Sequence, residues 1–427
     1  MTETAYHQIH SGIRGAPSGC PVDHAFSPLS DDYIADPYPI GDAMRESVPV
    51  VYAEPLGFVV VSRMDLVTEV FMNPDVYSSA NVQDPVFPIC DEAAAVLASP
   101  DFDPVAVMSN RQEPDHGRIR NYTKLLFSNK RIQTLEPYIR RRAHELIDAM
   151  LDTGPPADFV ASLAYPLPGE VVFRFIGFPE DDDQQLKDWC ANRLAFSWGQ
   201  PTPDEQVDIA ANMLAYWRYV RGFAASKRDR PGDDLASELI GYHLADPDGL
   251  TYREVESILY GLSFAGHEPV TLLLGNALMS LLPRRDAWDA VVAEPTLLPK
   301  ALEEVIRWNS PQIGWRRVTT RDTTLGGVDL PAGTPIYLNL GSANHDPRSF
   351  PEPEVFDLHR PDSAKNISFG KGNHYCLGAK FARFEARIVL EVLVERMPTL
   401  ALAGEQRVDP FPNISFRGPS RLDVTWT

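Results

Sequence analysis

The run Ser368-Phe-Gly-Lys-Gly-Asn-His-Tyr-Cys-Leu-Gly378 decides how the rest of the chain is read. Gly370 and Gly372 permit positive φ, so the backbone can turn tightly there. A helical stretch follows over 377–396, which places Cys376 where a helix begins. Unpaired N–H groups at a helix N-terminus favour negative charge and pull a thiol toward thiolate. Cys376 therefore reads as an activated thiolate, either a nucleophile or a metal ligand. Gly378 lets a flat group approach the backbone closely. Two other readings stand beside this one. Free cysteines commonly pack as small buried hydrophobes. A Cys–His nucleophile with His374 has both members on one loop, an awkward arrangement for a dyad usually drawn from distant segments.

Upstream of this run the pattern is of strands at 318–320, 324–330 and 334–340, with Gly326-Gly327 as a tight hairpin turn. From 116 to 310 the chain is mostly helical. Over 131–151, Ile139, Ala143, Leu146, Ile147 and Met150 recur at close to helical period. The longest helical run, 252–282, spans about 45 Å at 1.5 Å per residue. It is apolar on nearly all sides and reads as a buried central helix. Earlier, 48–52 and 57–62 flank a turn and form a hairpin. Residues 76–112 read as a long loop, more often functional than idle in a compact protein. Residues 1–30 read as a poorly ordered arm. The fold class is mainly α with small β-sheets.

Composition bounds the answer. The chain has 427 residues, 44% hydrophobic and 10% aromatic, enough to bury a large core and too apolar for a disordered protein. Fifty-nine acidic residues against 39 basic ones give a net charge of −20, a poor match to nucleic-acid binding. Cys20, Cys90, Cys190 and Cys376 form no CxxC pair, which argues against a disulfide scaffold or a cysteine-rich zinc site and for free thiols in a reducing compartment. The N-terminus has no apolar h-region and no run approaches 18 apolar residues, so neither a signal peptide nor a membrane span is expected. The expected location is cytoplasmic.

Phe369, Gly370, Gly372, His374, Cys376 and Gly378 fill every fixed position of FGxGxHxCxG, and the run resembles the heme-binding loop of the cytochrome P-450 family. By that resemblance Cys376 is the proximal thiolate ligand of heme b iron, a ligand that pushes electron density toward O–O cleavage. Other motifs fall in the family's order. Glu304-Val-Ile-Arg307 puts an acid and a base on one helical face and resembles the ExxR pair, with Arg360 as third member of a structural Glu-Arg-Arg cluster. His116-Gly-Arg-Ile-Arg120 resembles HxxxR, whose four-residue spacing points both side chains the same way. The resemblance implies that His116, Arg120, Arg317 and His374 hold the heme propionates.

Ala265-Gly-His-Glu-Pro-Val-Thr271 resembles the oxygen-binding segment AGxET, where glycine makes room for the distal ligand and an acid–alcohol pair relays protons. Gly266 and Glu268 match, but Pro269 stands where the family has threonine. Proline offers no N–H to the Ala265 carbonyl, costing about 3 kcal/mol in an intact helix and much less in one already opened. Thr271 points roughly 200° away around the helix and is a poor substitute.

The resemblance implies the triangular P-450 fold, a single domain over 31–427 with a long central helix over the heme. It implies a bacterial monooxygenase that activates O2 to hydroxylate, dealkylate or epoxidise a small organic substrate. Electrons would come from NAD(P)H through ferredoxin reductase and ferredoxin, since no fused reductase follows Thr427. An acidic ferredoxin needs a basic docking face, for which Arg118, Lys124, Lys130, Arg131, Arg140, Arg141, Arg142, Lys380 and Arg383 are candidates. Pocket walls are expected from 76–110, Phe196, Trp198 and 313–315, against Gly266 and Glu268. Because Pro269 departs from the pattern, phenol or aryl coupling, or aromatic nitration, is the alternative within heme chemistry. A heme sensor or electron carrier needs no vacant pocket beside a helix glycine.

Overall fold

The apolar run after Thr251 forms one 30-residue helix, Tyr252–Leu281, in the computed structural model, which describes residues 15–191, 193–404 and 413–427. Eight helices place the site: α1 (Asp115–Leu126), α2 (Glu136–Thr153), α3 (Pro166–Ile176), α4 (Arg193–Trp198), α5 (Pro203–Asp229), α6 (Tyr252–Leu281), α7 (Leu298–Trp308) and α8 (Ala379–Arg396). A capping box starts α6: Thr251 Oγ1 accepts from the Glu254 N–H at 3.2 Å, and Glu254 Oε2 accepts from the Thr251 N–H at 2.8 Å. Arg118 of α1 donates to the same carboxylate at 2.6 Å, so the cap also ties α6 to α1. Pro269 lies inside α6 without ending it. Helix α3 packs closest along α6 because two glycines remove side chains at the crossing. Gly169 faces the fully buried His267, and Gly266 faces Val172.

Eleven short strands lie beside the helices: β1 (Val22–Asp23), β2 (Val50–Ala53), β3 (Phe58–Val61), β4 (Tyr77–Ser78), β5 (Ala157–Asp158), β6 (Gly314–Thr319), β7 (Thr323–Leu325), β8 (Val328–Leu330), β9 (Pro335–Asn339), β10 (Ala401–Leu402) and β11 (Asp423–Thr425). Strands β2 and β3 make the expected hairpin, Val50 opposite Val61. They belong to a six-stranded sheet ordered β1-β2-β3-β9-β6-β4, because β9 adds in parallel to β3 with Val60 opposite Tyr337. That long-range pairing has no local signature. Gly326 and Gly327 take positive φ, 56° and 84°, and close the β7–β8 hairpin as predicted.

Two expectations are corrected. The 76–112 segment is interrupted by a helix, Asp91–Leu97, rather than being one long loop. The arm predicted over 1–30 lies outside the described residues for 1–14. Beyond them Cys20 is buried and Val22–Asp23 pairs in parallel with Tyr52 and Ala53, so that part is docked. No helix among the described residues is long and apolar enough to cross a membrane.

Candidate active site

The loop before α8 closes on itself. The Cys376 N–H donates to Phe369 O at 2.9 Å, and Gly370 and Gly372 take φ of 70° and 68°. A Cβ on Gly372 would stand 2.7 Å from Phe71 O, so only glycine fits there. Helix α8 begins at Ala379, one turn after Cys376. Cys376 lines a cavity of about 340 Å³. Burial pushes the thiol pKa up. The N–H groups of Gly378 and Ala379 and the charges of Arg120 and Arg383 pull against it without winning. The expectation that the helix terminus alone lowers this pKa is therefore corrected. Desolvation outweighs it until a cation lies against the sulfur. At Gly378 a Cβ would find only Cys376 Sγ, at 4.0 Å, so the space over the loop is open.

What fixes the loop is a buried network beneath it. Arg307 forks onto Glu304 at 2.7 and 2.9 Å, and Arg360 Nε reaches Glu304 Oε1 at 3.1 Å. The Ser363 hydroxyl and the Asp357 N–H fill the remaining lone pairs of Glu304 at 2.7 and 3.1 Å. Arg307 also donates to Asn344 O and Pro353 O. Asn344 holds the loop directly, donating to Ser368 Oγ at 2.8 Å and accepting from the Ile367 N–H. Ser368 in turn donates to Ile306 O, so α7 and the cysteine loop move as one body.

Beside the loop sits a cluster of cations with little acid to answer it. Arg317 is buried, pulled down to about 9 by desolvation, and has no carboxylate partner among the described residues. Arg120 Nη2 donates to Tyr375 O at 2.5 Å and lines the cavity. The rings of His116 and His374 stack with centroids 3.9 Å apart. His116 Nε2 and His374 Nδ1 are buried with no side-chain hydrogen-bond partner among the described residues. Glu113 Oε1 stands 3.0 Å from His116 Nδ1 and accepts from Asn373 Nδ2 at 2.9 Å, and its Oε2 accepts from the Gly117 N–H at 2.9 Å. Arg120 and His374 line the cavity, while His116 and Arg317 are buried outside its lining; together these nitrogens and guanidiniums fit the carboxylates of a flat dianionic group. A bound anion would favour the doubly protonated His116 ring. Among the described residues no three His, Cys, Asp or Glu side chains are grouped to hold a metal ion. A single thiol suits a metal whose other ligands come from a macrocycle, and heme fits the donor set present. His374 itself is turned to His116 and Ser79, and burial, then Arg317, holds its pKa down at about 2. It is no base for Cys376 near neutral pH.

Across the cavity runs α6. Phe264, Ala265, Gly266, Pro269, Val270 and Leu273 line it. A Cβ on Gly266 would meet Val172 Cγ2 at 2.5 Å, so the room this glycine makes is taken by α3, not by a ligand. Gly266 itself still lines the cavity. Glu268 is outside the lining; its charge is felt by Tyr165 and Cys190, toward α3. The Thr271 hydroxyl donates to His267 O at 3.2 Å and also lies outside the lining. Of the expected walls, Trp198, Trp315 and residues of the 76–110 segment such as Gln83 and Met108 line the cavity. Phe196 and Ile313 pack into the core instead. Three lining features were missed from sequence: Arg193, buried on α4; Glu385, buried on α8 and pushed up to about 8 by desolvation; and Phe416, edge-on to the stacked Trp198–Trp315 pair.

Comparison with known proteins follows the same line. The family model described as Cytochrome P450 matches residues 224–423. Nocardicin C N-oxygenase of Nocardia uniformis subsp. tsuyamanensis is 34% identical over 335 residues, covering 77% of this chain and 81% of the relative. Cytochrome P450 monooxygenase PikC of Streptomyces venezuelae is 32% identical over 404 residues, 93% of each chain. The solved structure of cytochrome P450 CREJ in complex with (4-ethylphenyl) dihydrogen phosphate superposes with a TM-score of 0.90 at 33% identity, covering 95% of this chain and all of that one.

Proposed function

The chain belongs to the cytochrome P450 family, with the oxygenating chemistry and the heme b of that family, and from this premise we propose a division of labour among its residues. Cys376 ligates the iron through its sulfur. His116, Arg120, Arg317 and His374 hold the propionates, and Phe369 and Gly378 shape the loop against the ring. Bound heme supplies the iron at which O2 is activated, one oxygen atom going to substrate and one to water. The substrate is a small organic molecule lodged between the heme and the Phe264–Pro269 face of α6. The observation that carries this reading is Cys376 facing an apolar-walled cavity beside unanswered buried cations. Its test is the Soret spectrum of the purified protein titrated with aromatics, fatty acids, terpenoids, amino acids and short peptides. A low-to-high-spin shift with one class supports the reading, and a colourless protein overturns it.

Pro269 leaves the cavity face of α6 without the hydroxyl that threonine would give, and neither Glu268 nor Thr271 lines the cavity in its place. In this protein water or a substrate hydroxyl completes proton delivery. Pro269→Thr is expected to raise product formed per NAD(P)H consumed. It should also stabilise α6, by at most about 3 kcal/mol, as the missing N–H is restored. An unchanged ratio would mean that no side-chain hydroxyl is needed there.

Electrons arrive from a ferredoxin in this reading. Six of the nine candidate cations are tied to carboxylates: Arg118, Arg131, Arg140, Arg141, Arg142 and Arg383. Lys124, Lys130 and Lys380 are exposed and have no ion pair among the described residues. Changing these three to glutamate is expected to slow ferredoxin-driven reduction roughly tenfold at low salt, with the gap closing as salt rises. Dithionite reduction should not change. Equal rates with ferredoxin at low salt would remove these lysines from the docking face.

A further inference from the structure

Among the described residues, Arg120, Arg193 and the carboxyl of Glu385 line the cavity. Arg120 is held beside the cysteine loop through Tyr375 O, and Glu385 stands on α8. Arg193 is set apart on α4, in the wall that carries Trp198, and is only 3% exposed. Its Nη1 donates to Ser197 Oγ at 2.8 Å, one helical turn along α4, and Ser197 Oγ donates onward to Gln83 O at 3.0 Å. Its guanidinium carbon stands 5.4 Å from the centre of the Phe264 ring on α6. Ser197, Gln83 and Phe264 all line the same cavity.

Arginine usually runs its stem along apolar surface and keeps its charge in water. Here Ser197 and the Phe264 ring are among the groups that hold the charge inside, on a wall that also carries Trp198, Trp315, Leu194 and Phe416. A guanidinium is a planar fork of N–H donors matched to carboxylate and phosphate oxygens. Within apolar walls such a pair is stronger than in water. We propose that Arg193 is a specificity-determining residue and that the substrate is an amphiphilic organic acid. Its oxyanion head docks on Arg193, and its apolar body lies along Phe264 and the two tryptophans toward the Cys376 loop. Phe264 to Pro269 is about 7.5 Å of helix, so the head is anchored one to two turns from the point where oxidation is placed. The inference deepens the proposed function and rests on reading this cavity as the substrate chamber.

The test uses the heme-loaded full chain and pairs of probes sharing a skeleton: dodecanoate with dodecanol, 4-ethylbenzoate with 4-ethylbenzyl alcohol, and 4-ethylphenyl phosphate with 4-ethylphenol. Affinities are read by calorimetry, with the Soret band recorded in parallel. In the wild type at least one acid is expected to bind roughly 10- to 100-fold more tightly than its neutral partner. Arg193→Met should remove that preference and leave the neutral partner's affinity in place, while Arg193→Lys keeps part of it. Arg193→Gln, which can still donate to Ser197, should behave like the methionine variant and serves where that variant does not fold. Acids and alcohols binding alike in the wild type would overturn the proposal, as would an acid preference that survives Arg193→Met or Arg193→Gln. A protein without a heme band fails before any probe is added, so failure of the underlying reading is seen separately.

Discussion

Cys376→Ser is expected to leave a folded protein whose oxygenation of substrate falls to the background rate. The replacement is nearly isosteric, and the backbone bond from residue 376 to Phe369 O remains. The network under the loop touches Ser368 and Ile367 but not the sulfur, so its support for the fold persists. What is lost is a soft anionic ligand. A thiol in this pocket is pushed up by burial and needs the metal to hold its negative charge. A serine hydroxyl ionises far less readily, so the electron donation that thiolate gives iron disappears. Far-ultraviolet circular dichroism should match wild type, while the Soret band moves and turnover vanishes. Wild-type turnover in the serine variant would remove Cys376 from the chemistry.

Glu304→Ala should have the largest effect on the fold itself. Glu304 and Arg307 are fully buried, and Arg360 nearly so. Removing the carboxylate leaves two guanidiniums facing each other without the charge that holds them. Breaking a buried pair in this way costs about 3–5 kcal/mol, against a typical total of roughly 5–15 kcal/mol. Because Arg307, Asn344 and Ser368 form one chain of bonds, the loss should appear as poor heme retention as well as a lower urea midpoint. The same carboxyl gives a pH signature. Burial pushes its pKa up, but the bonds from Arg307 and Ser363 and the Arg307 charge pull it further down, so it lies below its ordinary value. Its contribution to stability is complete above the ordinary carboxylate range and is lost as pH falls through the lower, folded value. Acid unfolding of wild type should therefore be steeper than that of Glu304→Gln. Parallel acid curves, or unchanged heme content in Glu304→Ala, would show that the loop stands without the network.

The parts of this architecture legible in the sequence are those where one residue type alone can do the work. Gly370 and Gly372 mark positive φ, and Cys376 marks the thiol that lines the cavity. The long apolar run marks the helix that crosses the cavity. The parts that were not legible depend on partners distant in the chain. Gly266 looks locally like space for a ligand, yet the space belongs to Val172, on the helix packed against it. The ExxR spacing shows Glu304 and Arg307, but not the Asn344–Ser368 bond that carries their hold to the cysteine loop. The wall residues show the same limit. Phe196 is expected in the wall from its position in the chain, while helical period puts Arg193, Leu194, Ser197 and Trp198 on the cavity side of α4 and Phe196 in the core. Arg193 shares a helical face with Ser197, four residues on, and both line the cavity. Nothing local announces that β9 joins β3 in parallel, since that pairing spans most of the chain.

The central claim is that this cavity inserts oxygen from O2 into a small substrate. The most direct measurement is the mass of the product formed under isotopically labelled O2 from whichever probe shifts the Soret band. The account predicts one labelled oxygen atom per product molecule. A product formed without label, as in phenol or aryl coupling, would contradict it and give the missing hydroxyl at Pro269 a different meaning.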